Sequence, residues 1–118
     1  MEKIIEIDGK QIKFKATGAT PVLYRRKFNK DLLLGMQKLN EAFVNQNYDN
    51  GSLEVFENLC YIMAKQGDST IVDDVEEWYD SFNMFSIYEV MPQIIELWNT
   101  STQQIVEPKK NNEQQSAE

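Results

Sequence analysis

Residues 3–16 read KIIEIDGKQIKFKA, and this stretch decides how the chain begins. Asp8-Gly9 is a favoured pair for a two-residue type I′ turn, which needs positive φ at both central positions. A turn there sets Ile7 opposite Lys10, Ile5 opposite Ile12 and Lys3 opposite Phe14. Ile5, Ile7, Ile12 and Phe14 then share one face, while Ile4 and Lys13 point the other way. The sequence therefore predicts a β-hairpin of Lys3–Ile7 and Lys10–Ala16. Two strands alone are marginal in water, so the apolar face must pack on a helix or on another copy's strand.

After Thr17-Gly18-Ala19 the pattern turns helical. Thr20 reads as an N-cap and Pro21 as the first helical residue, where its missing N–H is not needed. This helix runs to about Phe28, with Tyr24 and Phe28 on one face and Asn29 suited to a left-handed end. Asp31 caps a second helix, about Leu32 to Val44, with Leu32, Leu33, Met36, Leu39, Ala42 and Phe43 apolar at the helical period. Gly35 inside it marks a close helix crossing, since glycine costs about 1 kcal/mol against alanine there. After the polar loop Asn45–Gly51, Ser52 reads as the cap of a third helix, about Leu53 to Gln66, with Phe56, Leu59, Cys60 and Met63 inward and Gly67 as its left-handed end. Asp73 with Glu76 opens a fourth helix, and Ser86 with Glu89 a fifth, about Ile87 to Asn99, which Pro92 should kink. Residues 101–118 lose the apolar period and are expected to be a disordered tail. The fold class predicted is α+β and mostly helical: an N-terminal hairpin, a bundle of about five helices in a single globular domain over 1–100, and the tail.

The chain has 118 residues, 42% hydrophobic and 26% charged, one domain's worth with an ordinary soluble composition. No apolar run approaches the roughly 20 residues of a membrane span, and MEKIIEIDGK lacks the features of a signal peptide. Cys60 is the only cysteine, so no intrachain disulfide forms. Histidine is absent, which removes Ser-His-Asp triads, Cys-His pairs, HExxH zinc sites and histidine proton shuttles. No phosphate-cradling glycine loop occurs. Residues 1–30 carry eight Lys/Arg against Glu2, Glu6 and Asp8, or +5; residues 31–100 carry thirteen Asp/Glu against Lys38 and Lys65, or −11. A net charge of −7 argues against nucleic-acid binding. The basic end and acidic body neutralise each other within one chain, or draw copies together head to tail.

The candidate chemistry is sparse. Asp68, Asp73, Asp74, Glu76, Glu77 and Asp80 form the densest acidic stretch, but it lacks the EF-hand pattern and reads as a solvated helix start. Cys60 lies on an apolar stripe and reads as a buried structural residue. Arg25-Arg26-Lys27 is either a solvated face or a contact for an acidic partner. Trp78, Tyr79, Phe82, Met84, Phe85, Tyr88, Met91 and Trp98 crowd one stretch, mostly as core, with room for an exposed patch of the kind that anchors protein partners. The candidate partner-binding residues are Tyr88, Met91, Trp98, Arg25 and Arg26. No catalytic, cofactor-binding or metal-binding residue is assigned.

The order of these features resembles the tail assembly chaperones of long-tailed, siphovirus-type phages and prophages of Gram-positive bacteria. The resemblance rests on Thr20-Pro21, Tyr24-Arg25, Phe28 and Asp31; on Tyr61-Ile62-Met63-Ala64-Lys65-Gln66; on Glu77-Trp78 to Phe82; and on Ile87-Tyr88-Glu89-Val90, Pro92 and Leu97-Trp98. It spans about residues 3–100, and Asn29 stands where many members have glycine. It implies a non-catalytic role in the host bacterial cytoplasm: coating and shielding the tape measure protein during tail morphogenesis, helping to recruit tail tube subunits, and leaving before the virion is finished. It also implies a longer product made by ribosomal frameshifting, which would reach the major tail tube protein; the A-rich codons of Pro108-Lys109-Lys110-Asn111-Asn112 suit such a slip. Other readings of the same residues are a small acidic helical adaptor or inhibitor of one host protein, and an enzyme fragment using the acidic stretch with a metal.

Overall fold

In the computed structural model, which describes the backbone of residues 1–110 and the side chains of residues 1–102, β1 (Glu2–Ile7) and β2 (Lys10–Lys15) form the expected antiparallel hairpin. Ile7 faces Lys10, Ile5 faces Ile12 and Lys3 faces Phe14. Asp8 and Gly9 take φ of 55° and 77°, the positive values the turn demands. Ile5, Ile7 and Phe14 are buried, and Ile4 is 62% exposed on the far face.

Six helices follow among the described residues: α1 (Thr20–Phe28), α2 (Leu32–Asn45), α3 (Asn50–Gly67), α4 (Val75–Tyr79), α5 (Ser86–Glu89) and α6 (Met91–Lys110). The fold is α+β and mostly helical, and α3 is its axis: β2, α1, α2 and α4 all pack on it. Six consecutive residues, Leu59 to Ala64, are buried. A helix segment buried on all sides can only be central.

Local chemistry explains several helix ends. Asn29 ends α1 in the left-handed region, φ 57°, with its N–H on the Arg25 carbonyl. Asp31 caps α2 by accepting from the Leu33 and Leu34 N–H groups. The expected stripe of α2 holds at Leu32, Met36, Leu39 and Ala42, but Leu33 is 58% exposed because it lies about 100° round the helix from Leu32.

Other ends differ from the sequence reading. Thr20 is the first residue of α1, not its cap; its buried hydroxyl accepts from the Thr17 N–H at 2.9 Å and donates to Gln66 Oε1 at 2.5 Å. Asp49, not Ser52, caps α3. Its carboxylate accepts the Ser52 N–H at 2.8 Å, and Ser52 Oγ accepts the Asp49 N–H at 3.0 Å, a reciprocal capping box. Asp73, the expected start of the fourth helix, is instead taken by Lys65 at 2.9 Å, and Asp74 precedes α4 without a side-chain cap bond. The expected fifth helix is broken at Val90 into α5 and α6. Pro92 is the second residue of α6, where a missing N–H costs nothing, so it begins a helix instead of kinking one. That helix runs past Asn99 to Lys110, so residues 101–110 of the expected tail are helical. Ser101 and Thr102 donate to the carbonyls of Leu97 (2.8 Å) and Trp98 (2.9 Å), so these polar residues sit on the helix without an apolar stripe. Residues 111–118 lie outside the described residues, so the expectation for that part has no structural counterpart here.

The two helical glycines mark contacts of different hardness. Gly35 faces Val55, whose Cγ2 would stand 2.9 Å from an added Cβ. This is the close α2–α3 crossing the sequence predicts. Gly67 is not a left-handed end; a Cβ there would stand 2.0 Å from the Lys13 carbonyl oxygen, in the backbone of β2. Gly67→Ala is expected to destabilise by about 3 kcal/mol or more, against the ordinary helical preference for alanine, because backbone cannot step aside. Gly35→Ala is expected to stay within about 1 kcal/mol of wild type, since the Val55 side chain can yield while alanine improves the helix. Chemical denaturation of the two variants checks both signs.

Candidate functional site

One stripe of α3 carries Glu54, Glu57, Asn58, Tyr61, Ile62 and Lys65, spaced to share a face. Two clefts open along it. Over its first half, α4 and the segment that follows lean away and leave a space of about 580 Å³. Its walls carry four carboxylates, Glu54, Glu57, Glu76 and Asp80, with the apolar surface of Tyr79, Phe82, Met84, Ile87 and Tyr88. Lys30 Nζ lies 2.5 Å from Glu54 Oε1 and offsets one of the four.

Two phenols fix the floor of this cleft. Tyr79 donates to the Glu57 carbonyl at 2.6 Å, and Tyr88 donates to the Glu57 carboxylate. Burial, then the hydrogen bond to the Glu57 carboxylate, pushes the Tyr88 phenol up to about 12. Burial raises Tyr79 well above the ordinary phenol range. Cys60 is fully buried and its thiol is pushed far up by burial, which suits the structural cysteine read from its stripe. Trp78 backs the wall with edge-on contacts to Tyr61 and Phe82, ring centres 5.8 and 5.1 Å away.

Over the second half of the stripe lies an apolar groove of about 340 Å³ between α1 and α3, formed by Leu23, Arg26, Lys27, Tyr61, Ile62, Lys65 and Gln66 with Asp73 at its edge. Lys65 bonds the Asp73 carboxylate and the carbonyls of Ser69 and Ile71. Lys27 donates to the Asp73 carbonyl and stands 5.4 Å from the Tyr61 ring centre. Hydrogen bonding and charge from Lys65 hold the Asp73 carboxyl below its ordinary range.

The hairpin tip reaches the same region. Asp8 accepts from the Asn83 N–H at 2.7 Å, from the Asn83 amide at 3.2 Å and from the Ser86 hydroxyl. Lys10 donates to the Ser81 carbonyl at 2.9 Å and stands 5.0 Å from the Phe82 ring centre. The segment 81–86 is thereby held against β1 and β2, with Met84 80% and Phe85 67% exposed.

The candidate residues named from sequence divide. Arg25 and Arg26 lie exposed on α1, and Tyr88 is half-buried in the acidic cleft. Met91 and Trp98 are 6% and 9% exposed, core residues of α6, so neither presents a surface to a partner. In the same aromatic stretch the exposed residues are instead Met84 and Phe85, between helices; on α2, Leu33 and Leu34 are a second exposed apolar pair. The signal for Met84-Phe85 was the gap in apolar period at Asn83–Ser86; nothing local announced Asp8 as its tether. The basic N-terminal segment does fold onto the acidic body, through Lys30–Glu54 at 2.5 Å and Lys3–Glu96 at 4.0 Å. Among the described residues, no three acidic or cysteine side chains gather to hold a metal ion, and no helix is long and apolar enough to cross a membrane.

Set against protein-family models, curated proteins and solved structures, the chain matches none.

The tether has a pH signature. The Ser86 hydroxyl and then the Asn83 N–H hold the Asp8 carboxyl below its ordinary 3.8. A depressed carboxyl favours the folded state above pH 3.8 and loses that contribution as pH falls through its own lower midpoint. Carbon-detected NMR titration should place the Asp8 midpoint below 3.8, and Ser86→Ala should move it upward. The core placement is checked separately: Trp98→Ala should cost about 3–5 kcal/mol in denaturation, as for a large aromatic removed from a core.

Proposed function

We propose that this chain is a phage tail assembly chaperone that holds and shields a helical segment of the tape measure protein in the cleft between α3 and α4. The observation that supports the reading is the cleft itself: about 580 Å³, walled by aromatic and aliphatic side chains and rimmed by four carboxylates. A groove of this kind suits an amphipathic helix laid in it by its apolar side, with cationic residues at its margins. Residues that carry the family resemblance build one wall of it, Tyr79, Asp80 and Phe82 with Ile87 and Tyr88; Glu54, Glu57 and Asn58 of α3, outside the resembling residues, supply the other. Catalysis has no part in this proposal, and neither does a cofactor.

In the same reading the chain works in the host bacterial cytoplasm, and a frameshifted longer product brings the major tail tube protein to the coated tape measure. The chaperone then leaves as the tube closes.

Co-expression with fragments of the tape measure protein tests the proposal. Glu76→Lys with Asp80→Lys should lower capture at least tenfold while the circular dichroism spectrum stays that of wild type, because both positions are exposed. Raising salt should weaken wild-type capture. Undiminished capture by the folded double variant would remove the cleft from the proposal, and no capture of any fragment by wild type would remove the chaperone reading.

A further inference from the structure

The segment 81–86 displays two large apolar side chains that none of the described residues covers: Met84 is 80% and Phe85 67% exposed. Their neighbours Phe82 and Ile87 turn inward and pack on the core. The exposed pair is also held still. Asp8 grips the chain on both sides of it, through the Asn83 N–H and side-chain amide and through the Ser86 hydroxyl, and Lys10 holds the Ser81 carbonyl at 2.9 Å. A loop with no role has no need of four tethers from a distant hairpin. Fixing such a pair in advance removes the ordering cost of binding, and adjacent exposed apolar residues mark contact surfaces.

The surface that fits this pair is also present in the chain. The groove between α1 and the second half of α3, about 340 Å³, has the largely buried Tyr61 and Ile62 at its floor and the half-buried Leu23 at its wall. It carries three cations, Arg26, Lys27 and Lys65, against the single carboxylate Asp73. Lys27 and Lys65 are turned onto Asp73, whereas Arg26 has no ion-pair partner among the described residues. The turn itself, residues 81–86, is uncharged and has Lys10 and Asp8 beside it, but its flanks have the opposite sign to the groove: residues 76–80 and 87–89 contain Glu76, Glu77, Asp80 and Glu89 and no cation. Apolar shape and charge therefore match between two different surfaces of the same molecule.

We propose that the Met84-Phe85 turn of one copy seats in the α1–α3 groove of a second copy. A chain cannot satisfy itself this way. Asp8 holds the turn beside Glu54, Glu57 and Asn58, over the first half of α3, while the groove lies over the second half. Each copy offers one turn and one groove, so the contact joins unlike surfaces. The overall charge of −7 opposes association between copies, while the acidic flanks of the turn and the cations of the groove favour this particular contact. The inference stands apart from the proposed function, since it needs no tape measure protein.

Sedimentation velocity on the purified full chain, at high protein concentration and low salt, tests it with two variants, Phe85→Asp and Arg26→Glu. Both positions are exposed, so both variants should keep the wild-type circular dichroism spectrum; Phe85→Ser replaces Phe85→Asp should the carboxylate disturb folding. Wild type should associate, and less so as salt rises. Each variant alone should associate at least tenfold more weakly. An equimolar mixture of the two should regain association, because Phe85 of the Arg26→Glu copy meets the intact groove of the Phe85→Asp copy. Wild type that stays monomeric, a variant that associates as tightly as wild type, or a mixture that stays monomeric would each overturn the proposal. Capture of a tape measure fragment by a strictly monomeric chain would refute this contact and leave the proposed function standing; association without capture would do the reverse.

Discussion

The fold depends on covering α3. Six residues in a row, Leu59 to Ala64, are buried, so over these turns no side of the helix faces water, while its first half leaves Glu54 exposed. Burial on all sides requires neighbours on all sides, and the rest of the chain supplies them in order: the hairpin, α1, α2, then α4. The tightest of these contacts is backbone on backbone, where Gly67 leaves room for the Lys13 carbonyl and nothing larger. Gly35 plays a softer version of the same part against Val55. Close approach at these two glycines sets the spacing at which the larger side chains of the core meet.

The hairpin has a second task that follows from its first. Its apolar face must lie on α3, which fixes where its turn ends up, and the turn carries Asp8 and Lys10. Both reach the segment after α4, so the hairpin becomes the clamp of a distant loop. Asp8 serves two purposes with separate parts of the residue: its backbone takes the positive φ of the turn, and its carboxylate accepts three hydrogen bonds. The aromatic cluster of Trp78, Tyr79 and Phe82 fills the space between this clamp and α3. The acidic cleft and the exposed Met84-Phe85 pair are both products of that arrangement.

Much of the fold was legible because it rests on contacts within a few residues. The hairpin register follows from Asp8-Gly9 and the alternation on either side. Asn29 and Asp31 act through their own neighbours' N–H and carbonyl groups, so they could be read where they stand. Several of the misread helix starts share one cause, which is competition for a capping side chain. Asp49 and Ser52 are both good caps three residues apart, and they cap together. Thr20 and Ser86 look like caps, yet their hydroxyls go to Gln66 and Asp8, far along the chain. Asp73 goes to Lys65. The candidate site was legible only as a crowded aromatic stretch. Periodicity placed Ile87 and Trp98 on helices but could not tell which aromatic or methionine would be covered, because that depends on what packs over it.

The amino-acid sequence by itself determined the elements that are settled at short range: a hairpin of known register and helices with apolar stripes. Tertiary structure alone decided which polar side chains would be spent on capping and which on long-range tethers, since a hydroxyl or carboxylate takes whichever partner folding brings within reach. It also decided that Met91 and Trp98 are core while Met84 and Phe85 are surface. All four carry the same kind of apolar side chain, and only the position of a neighbouring helix separates a buried one from an exposed one.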